Sequence, residues 1–364
     1  MPTPPPSPGA TPLSHLPQLD ALRTLAVAGV MVYHFTNGRL GDAAYYGVRL
    51  FFVLSGFLIT RLLLDARARL DAGGTTFGGA LERFYIRRTL RIFPLYYVAV
   101  LGAALVNLEP ARELLPWLLS YTVNVKYARQ GYFDAHFAHF WSLCVEEQFY
   151  LVWPWVVLLA PVRALPALTL GMVALGPASR TWLLGRAGGD IASYVLMPAS
   201  CDALGIGALL ALTQAPSVAG GLAGRLLGSL MAAVRRPLGC LASTVAAGLA
   251  IAGYAGAAGD LVHGLATSMV FAGMVGAAAA GFRGVTGRVC EARPVRYVGK
   301  ISYGVYVYHP LLLAVAPWLQ RGQNDGGLAA MVAGFAAFGA LTIAIASASW
   351  YSFEKPLNDL KARV

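Results

Sequence analysis

Apolar runs, each close to the length of a bilayer crossing, follow one another through almost the whole chain and leave it few folds to adopt. A helix needs roughly 20 predominantly apolar residues to cross a hydrocarbon core. Such runs lie at 20–36, 45–64, 84–106, 139–160, 164–184, 191–213, 238–258, 260–282, 301–320 and 328–350. In lipid every backbone N–H and C=O must be bonded within the protein, so runs of this kind fold as helices. Composition agrees: 57% of the 364 residues are hydrophobic and 12% are charged, where a soluble domain carries about 25% charged residues. The expected fold is an all-α polytopic membrane protein with about ten transmembrane helices.

The net charge of +11 would suggest nucleic acid in a soluble chain. Here the arginines cluster between apolar runs, which is the pattern of cytoplasmic loops. Arg61, Arg67, Arg69, Arg83, Arg87, Arg88 and Arg91 lie between the second and third runs. Arg225, Arg235 and Arg236 form another cluster, and Arg283, Arg288, Arg293, Arg296 and Lys300 precede the ninth run. Lys355, Lys361 and Arg363 close the chain. Ten spans place all of them on the cytoplasmic side with both termini inside; eleven would not. The shorter run at 114–125 is therefore expected to be re-entrant or interfacial on the outer side, beside a cavity. The bilayer is the expected partner and nucleic acid is not; oligomeric state is left open.

The Pro-rich residues 1–17 carry no Lys or Arg, so they lack a signal peptide's charged region and are expected to be a disordered tail. Cys144, Cys201, Cys240 and Cys290 are scattered without CxxC spacing, which implies small buried hydrophobes rather than disulfides or a zinc site. No His/Asp/Glu set has metal-ligand spacing, and neither a GxSxG elbow nor a phosphate loop occurs.

Ionisable residues within these runs need a reason, because each costs roughly 2.5–3.5 kcal/mol at a helix centre on insertion scales. "LDALRTLAVAGVMVYHF" (19–35) holds Arg23 and His34. Eleven positions are about three turns, so both side chains share a face roughly 16 Å apart along the axis. Snorkelling explains Arg23 alone but not His34 on the same stripe. Arg binds phosphate through a rigid fork, and neutral His takes a proton from a hydroxyl near neutral pH. A donor with phosphates at one end and an acyl group at the other, such as acyl-coenzyme A, fits that separation.

Further polar residues sit in similar settings. "HFWSLCVEEQFYLVWPW" (139–155) puts Glu146 and Glu147 among Trp141, Phe149, Tyr150, Trp153 and Trp155. One carboxylate would orient a His or bind an acceptor; the aromatics are an interfacial belt or a platform for a sugar ring. Arg49, Arg61 and Ser55-Gly56 share the second run, where Gly56 allows close helix approach or a kink. Arg87, Arg88 and Arg91 precede Pro94 and serve topology, a phosphate donor, or both. His309 stands before Pro310 as a second functional imidazole or a hydrogen-bonded core residue, and Glu354 follows the last run.

Together the Arg23/His34 spacing, "FFVLSGFLIT", "RRTLRIFPLYY", "WSLCVEEQFYLVWP", "ISYGVYVYHP" and "FEKP" resemble the acyltransferase-3 family of integral membrane O-acyltransferases, in order from about residue 18 to 358. The resemblance implies a membrane acyltransferase domain over 18–358, with a short cytoplasmic tail at 359–364. It implies transfer of an acyl group, commonly acetyl, from acyl-CoA to a hydroxyl of a carbohydrate or glycosylated acceptor, such as lipopolysaccharide, exopolysaccharide or peptidoglycan, at the bacterial inner membrane. Acyl-CoA (acetyl-CoA) would be a co-substrate, with no permanently bound cofactor and no metal. Arg23 and His34 would be the essential pair, with Glu146 or Glu147 orienting His34, and Arg23, Arg88 and Arg91 holding the donor. Arg49, Ser55, Trp141, Tyr150, His309 and Glu354 would support the acceptor or the reaction, Arg49 or Ser55 as oxyanion donor. Arg49 departs from the family, many of whose members carry an acid there. Some relatives carry an appended periplasmic hydrolase domain; ending at Val364, this sequence resembles the stand-alone form. The step is direct attack with His34 as base, or passage through an acyl-His. A glycolipid or polysaccharide-unit transporter and a non-catalytic membrane scaffold are the other classes the residues allow.

Overall fold

The computed structural model describes residues 16–186, 188–215, 218, 228, 229, 232, 257–320 and 327–363. The tail expected over 1–17 and the span expected over 238–258 fall outside them, but for residues 16–17 and 257–258. Every regular element among the described residues is helical.

Helix α1 (Pro17–Thr36) opens on Pro17, whose fixed φ suits the first turn and whose missing N–H has no helical partner to lose. It ends at Asn37, which adopts a left-handed φ of 50° and returns its N–H to Tyr33 O. Helices α2 (Ala43–Asp71) and α3 (Phe77–Leu105) have 29 residues each, about 43 Å at 1.5 Å per residue and longer than a ~30 Å hydrocarbon core. Thr76 caps α3, its Oγ1 accepting the Gly79 N–H at 3.0 Å. The helix runs on through Pro94.

The expected re-entrant run is a helix–break–helix, α4 (Ala111–Leu119) and α5 (Val123–Gln130). With 9 and 8 residues, they reach about 14 and 12 Å, and neither crosses a bilayer. Then come α6 (Phe140–Leu159), α7 (Leu165–Leu184), α8 (Gly189–Val195), α9 (Cys201–Thr213) and α10 (Ala257–Ala280). After α11 (Gly284–Glu291) and α12 (Arg293–Lys300), α13 (Ser302–Val315) and α14 (Gly327–Ser349) lead through a π-helical turn, Trp350–Glu354, into α15 (Lys355–Asp359).

Among the described residues, five helices are long and apolar enough to cross a membrane: α2, α3, Val162–Leu184, Val262–Ala280 and Gly327–Asp359. Gly189–Val195 with Met197–Thr213, bent by 61°, makes a sixth if the pair is one broken span. The expected count of ten is not reached among the described residues, and the site itself is part of the reason. Asp20, Arg23 and His34 dilute the apolar run of α1, and Glu146, Glu147 and Gln148 dilute that of α6. Helix α13 has 14 residues, about 21 Å.

Helix α2 packs against α1, α6, α9 and α10. Its closest neighbour is α9, and two glycines make that possible. A Cβ on Gly56 would strike Leu204 O of α9, and one on Gly207 would strike Val53 O of α2. Close backbone approach of this kind replaces the hydrophobic drive that lipid does not supply. Cys144 and Cys201 are buried, while Cys290 is partly exposed; Cys240 lies outside the described residues.

Candidate active site

Helices α1, α2, α3, α6 and α13 enclose a cavity of about 540 Å³. Five arginines line it: Arg23 from α1, Arg61 from α2, and Arg87, Arg88 and Arg91 from α3. The spacing of the last three brings Arg91 onto the same side as its neighbours three and four positions before it. Three acids stand against them, Asp20, Glu146 and Glu147, so cations outnumber anions on the wall. Arg23 Nη1 donates to Asp20 Oδ1 at 2.8 Å with 23% of its side chain still exposed. Arg88 is half-buried, and its Nε has no hydrogen-bond partner among the described residues. A buried donor left over in an excess of positive charge is what a bound oxyanion satisfies.

Glu146 and Glu147 both line this cavity although adjacent helix positions diverge by about 100°. Ser55 Oγ donates to Glu146 Oε1, and Tyr150 Oη lies 3.0 Å from Ser55 Oγ. Seven of the sequence-derived site residues therefore meet here: Arg23, Arg88, Arg91, Ser55, Glu146, Glu147 and Tyr150.

His34 stands eleven residues beyond Arg23 on α1, about 16 Å along the axis. Its partner is His309 of α13, with His34 Nδ1 and His309 Nε2 3.1 Å apart and ring centroids 5.0 Å apart. His34 Nδ1 is also 3.1 Å from Val30 O, and His309 Nδ1 is 3.1 Å from Val305 O. Gln320 Nε2 donates to His34 O at 3.1 Å and Phe35 O at 2.7 Å, satisfying carbonyls that the end of α1 leaves open.

Tyr306 connects the two ends. It lines the cavity, and its ring centroid is 5.7 Å from that of His309. Its hydroxyl donates to His139 O at 3.0 Å and meets Ser142 Oγ at 2.5 Å. His139, buried beside it, is 5.6 Å from His309 between centroids. Sequence reasoning passed over Tyr306 and His139. Tyr306 was discoverable, because it lies three residues before His309 on one helix face.

Four expected site residues lie elsewhere or are otherwise engaged. Arg49 is no oxyanion donor: its guanidinium is held by Asp202 Oδ2 at 2.5 Å, Gly264 O at 2.8 Å and Ser268 Oγ at 2.9 Å. Trp141 is 6% exposed, wedged between Phe52 and Tyr194, which leaves no face open for a sugar. Glu354 is buried in the π-helical turn and accepts from Ser349 Oγ at 2.7 Å. Ser55, though it lines the cavity, spends its proton on Glu146. His34 Nδ1 meets His309 Nε2 and Val30 O, and among the described residues neither Glu146 nor Glu147 is its hydrogen-bond partner.

Residues 16–351 match a family described as an acyltransferase domain. Among curated relatives, the peptidoglycan O-acetyltransferase OatA of Listeria monocytogenes is 31% identical over 187 residues, covering 46% of this chain and 29% of that protein. "Putative peptidoglycan O-acetyltransferase YrhL" of Bacillus subtilis is 31% identical over 194 residues, covering 48% of this chain and 30% of that protein. The chain thus spans less than a third of the length of these relatives. No solved structure matches it significantly. The match over nearly the whole chain, on a helical frame that carries Arg23 and His34 on one helix, establishes that this protein belongs to the acyltransferase-3 family.

Proposed function

We propose that the chain is a bacterial inner-membrane O-acetyltransferase that moves an acetyl group from acetyl-CoA to a carbohydrate hydroxyl. The observation that carries this reading is the two-ended site. A cavity with more arginines than acids opens at the Arg23 end of α1, and a paired imidazole stands at the His34 end. The relatives' peptidoglycan O-acetyltransferase names support a glycan acceptor, and the Arg clusters support a cytoplasmic donor side.

In this reading Arg23, Arg88 and Arg91 take the donor's phosphates by charge-assisted hydrogen bonds. The apolar walls given by Leu58, Ile59 and Leu62 take the extended arm. The thioester is directed past Tyr306 toward His34. His34 Nε2 takes the proton of the acceptor hydroxyl as that oxygen bonds to the carbonyl carbon. Collapse of the tetrahedral adduct breaks the C–S bond, and the departing sulfur receives the proton from His34 Nε2. No metal and no permanently bound cofactor enters these steps.

The test uses the purified full chain in lipid nanodiscs, labelled acetyl-CoA and chitopentaose as a soluble N-acetylglucosamine acceptor. The expected result is label in an alkali-labile ester on the sugar, lost in His34→Ala. Label reaching neither chitopentaose nor isolated peptidoglycan strands would falsify the reading.

A further inference from the structure

We propose that His309 is the positioning partner of His34. Its Nε2 accepts the Nδ1–H of His34 and so leaves His34 Nε2 bare toward the acceptor hydroxyl. This rests on the acyl-transfer reading above and adds the group that holds the base in its working tautomer.

The argument follows from what carbonyls do. A backbone carbonyl accepts hydrogen bonds and never donates. His309 Nδ1 lies 3.1 Å from Val305 O, so the proton of the neutral ring is on Nδ1 and the lone pair is on Nε2. His34 Nδ1 lies 3.1 Å from Val30 O, so it too carries its proton. The 3.1 Å contact between the rings is then an N–H···N bond from His34 to His309, shared with Val30 O. The one lone pair left on the His34 ring is at Nε2.

When the hydroxyl proton reaches His34 Nε2, the ring becomes an imidazolium, and a hydrogen bond from its Nδ1–H strengthens as the charge develops. A carboxylate does this in other acyl-transfer sites. A neutral imidazole does it without a fixed negative charge inside a membrane helix, where charge is expensive. The Nδ1 proton stays between the two rings; the proton that moves is the hydroxyl's. The His309 ring is fixed in place, fully buried and anchored through Val305 O, with Pro310 following. His139 packs against it, but His139 Nε2 meets Val307 O at 3.2 Å, so its own proton is spent on the backbone and does not compete for His309 Nε2.

Selective ¹⁵N-histidine labelling of the full chain in nanodiscs reads this directly. At neutral pH the expected spectrum has His34 Nε2 unprotonated and His34 Nδ1 protonated and coupled to His309 Nε2, with the signals assigned by their loss in His34→Gln. A protonated His34 Nε2 beside a bare Nδ1 overturns the proposal whatever the activity. Kinetics form the second arm. His309→Gln keeps an acceptor oxygen near the Nε2 position and is expected to hold kcat within roughly 5-fold, while His309→Leu loses roughly 100-fold in kcat with KM for acetyl-CoA unchanged. A folded His309→Leu with the wild-type kcat, or a folded His309→Gln as slow as His309→Leu, also overturns it. If His309→Leu does not fold, the glutamine variant and the spectrum decide. Absence of acetyl transfer in the unmodified chain sinks the acyl-transfer reading, while the nitrogen spectrum still decides the dyad.

Discussion

Arg49 Nη2 lies 2.5 Å from Asp202 Oδ2, and Arg180 Nη2 reaches the same oxygen at 2.8 Å. One buried carboxylate therefore ties α2, α7 and α9 together, and Gly264 O and Ser268 Oγ join α10 to the network. Removing one member of a buried ion pair costs about 3–5 kcal/mol because the remaining charge is left without a partner. Asp202→Ala strands two guanidiniums at once. It is expected to lower the melting temperature of the purified protein sharply, or to abolish the monodisperse peak in detergent chromatography. Arg49→Lys is expected to be milder, since an ammonium still reaches the carboxylate. An Asp202→Ala protein that melts like the wild type removes the network from the fold's energetics.

The donor end predicts a KM effect. Each charge-assisted hydrogen bond contributes roughly 1.5–3 kcal/mol, so Arg23→Ala and Arg88→Ala should each raise KM for acetyl-CoA roughly 10–100-fold with little change in kcat. The same variants should discriminate less against 3′-dephospho-acetyl-CoA, since they have lost partners for phosphate. Initial rates over a range of both donors measure this. A kcat loss at unchanged KM would move these arginines from binding to chemistry.

The reach of the sequence follows from what each residue's geometry encodes locally. The 3.6-residue period is enough to put Arg23 and His34 on one stripe of α1, and charge alone gathers Arg87, Arg88 and Arg91. What spacing does not encode is which residues meet from distant parts of the chain. His309 reaches His34 across 275 positions, and Asp202 claims Arg49 across 153. Arg49 thus reads as chemistry in the sequence when it belongs to the frame. Trp141 reads as part of an interfacial belt or as a sugar platform, and composition does not say which aromatic faces are covered. Ten apolar runs read as spans, while five helices among the described residues, or six with the bent pair, are long and apolar enough to cross. The run at 238–258 lies almost wholly outside those residues, and polar residues such as Arg23, His34, Glu146 and Glu147 dilute the runs of α1 and α6.

The α2–α9 contact predicts a steric effect separable from the site. Gly56→Ala and Gly207→Ala each put a Cβ against a partner backbone carbonyl, which cannot swing aside as a flexible side chain does. Each is expected to reduce folded yield and melting temperature, and the double variant to do so more than either alone, since the positions share one interface. Gly102→Ala, in open space, serves as the control and should behave as wild type. Equal behaviour of all three in a thermal-shift assay would rule out close approach as the reason for the two glycines.

Direct transfer predicts no acyl-enzyme. If His34 acts only as a base, a single turnover with labelled acetyl-CoA and no acceptor leaves no label on the protein after rapid quench. Label that accumulates, is lost in His34→Ala and chases onto chitopentaose would establish His34 as a nucleophile instead. In either case the bare Nε2 is the reacting atom.

Donor binding should depend on pH through Lys361. This residue follows α15 in a turn that packs on α3, and its Nζ donates to Asn358 Oδ1. Burial first, then repulsion from Arg91, Arg88 and Arg87, pushes its pKa down to about 7. Bound phosphates neutralise those arginines, which favours the charged ammonium and raises the pKa in the complex. Binding then takes up a proton wherever Lys361 is neutral in the free protein, that is, above pH ~7 by the linkage between protonation and binding. KM for acetyl-CoA is expected to rise between pH 6.5 and 8.5, on the order of tenfold at most for one proton across about one pH unit. Lys361→Met should flatten that rise while leaving kcat near wild type. A KM that falls with pH, or a slope unchanged in Lys361→Met, would separate Lys361 from the phosphate-binding face.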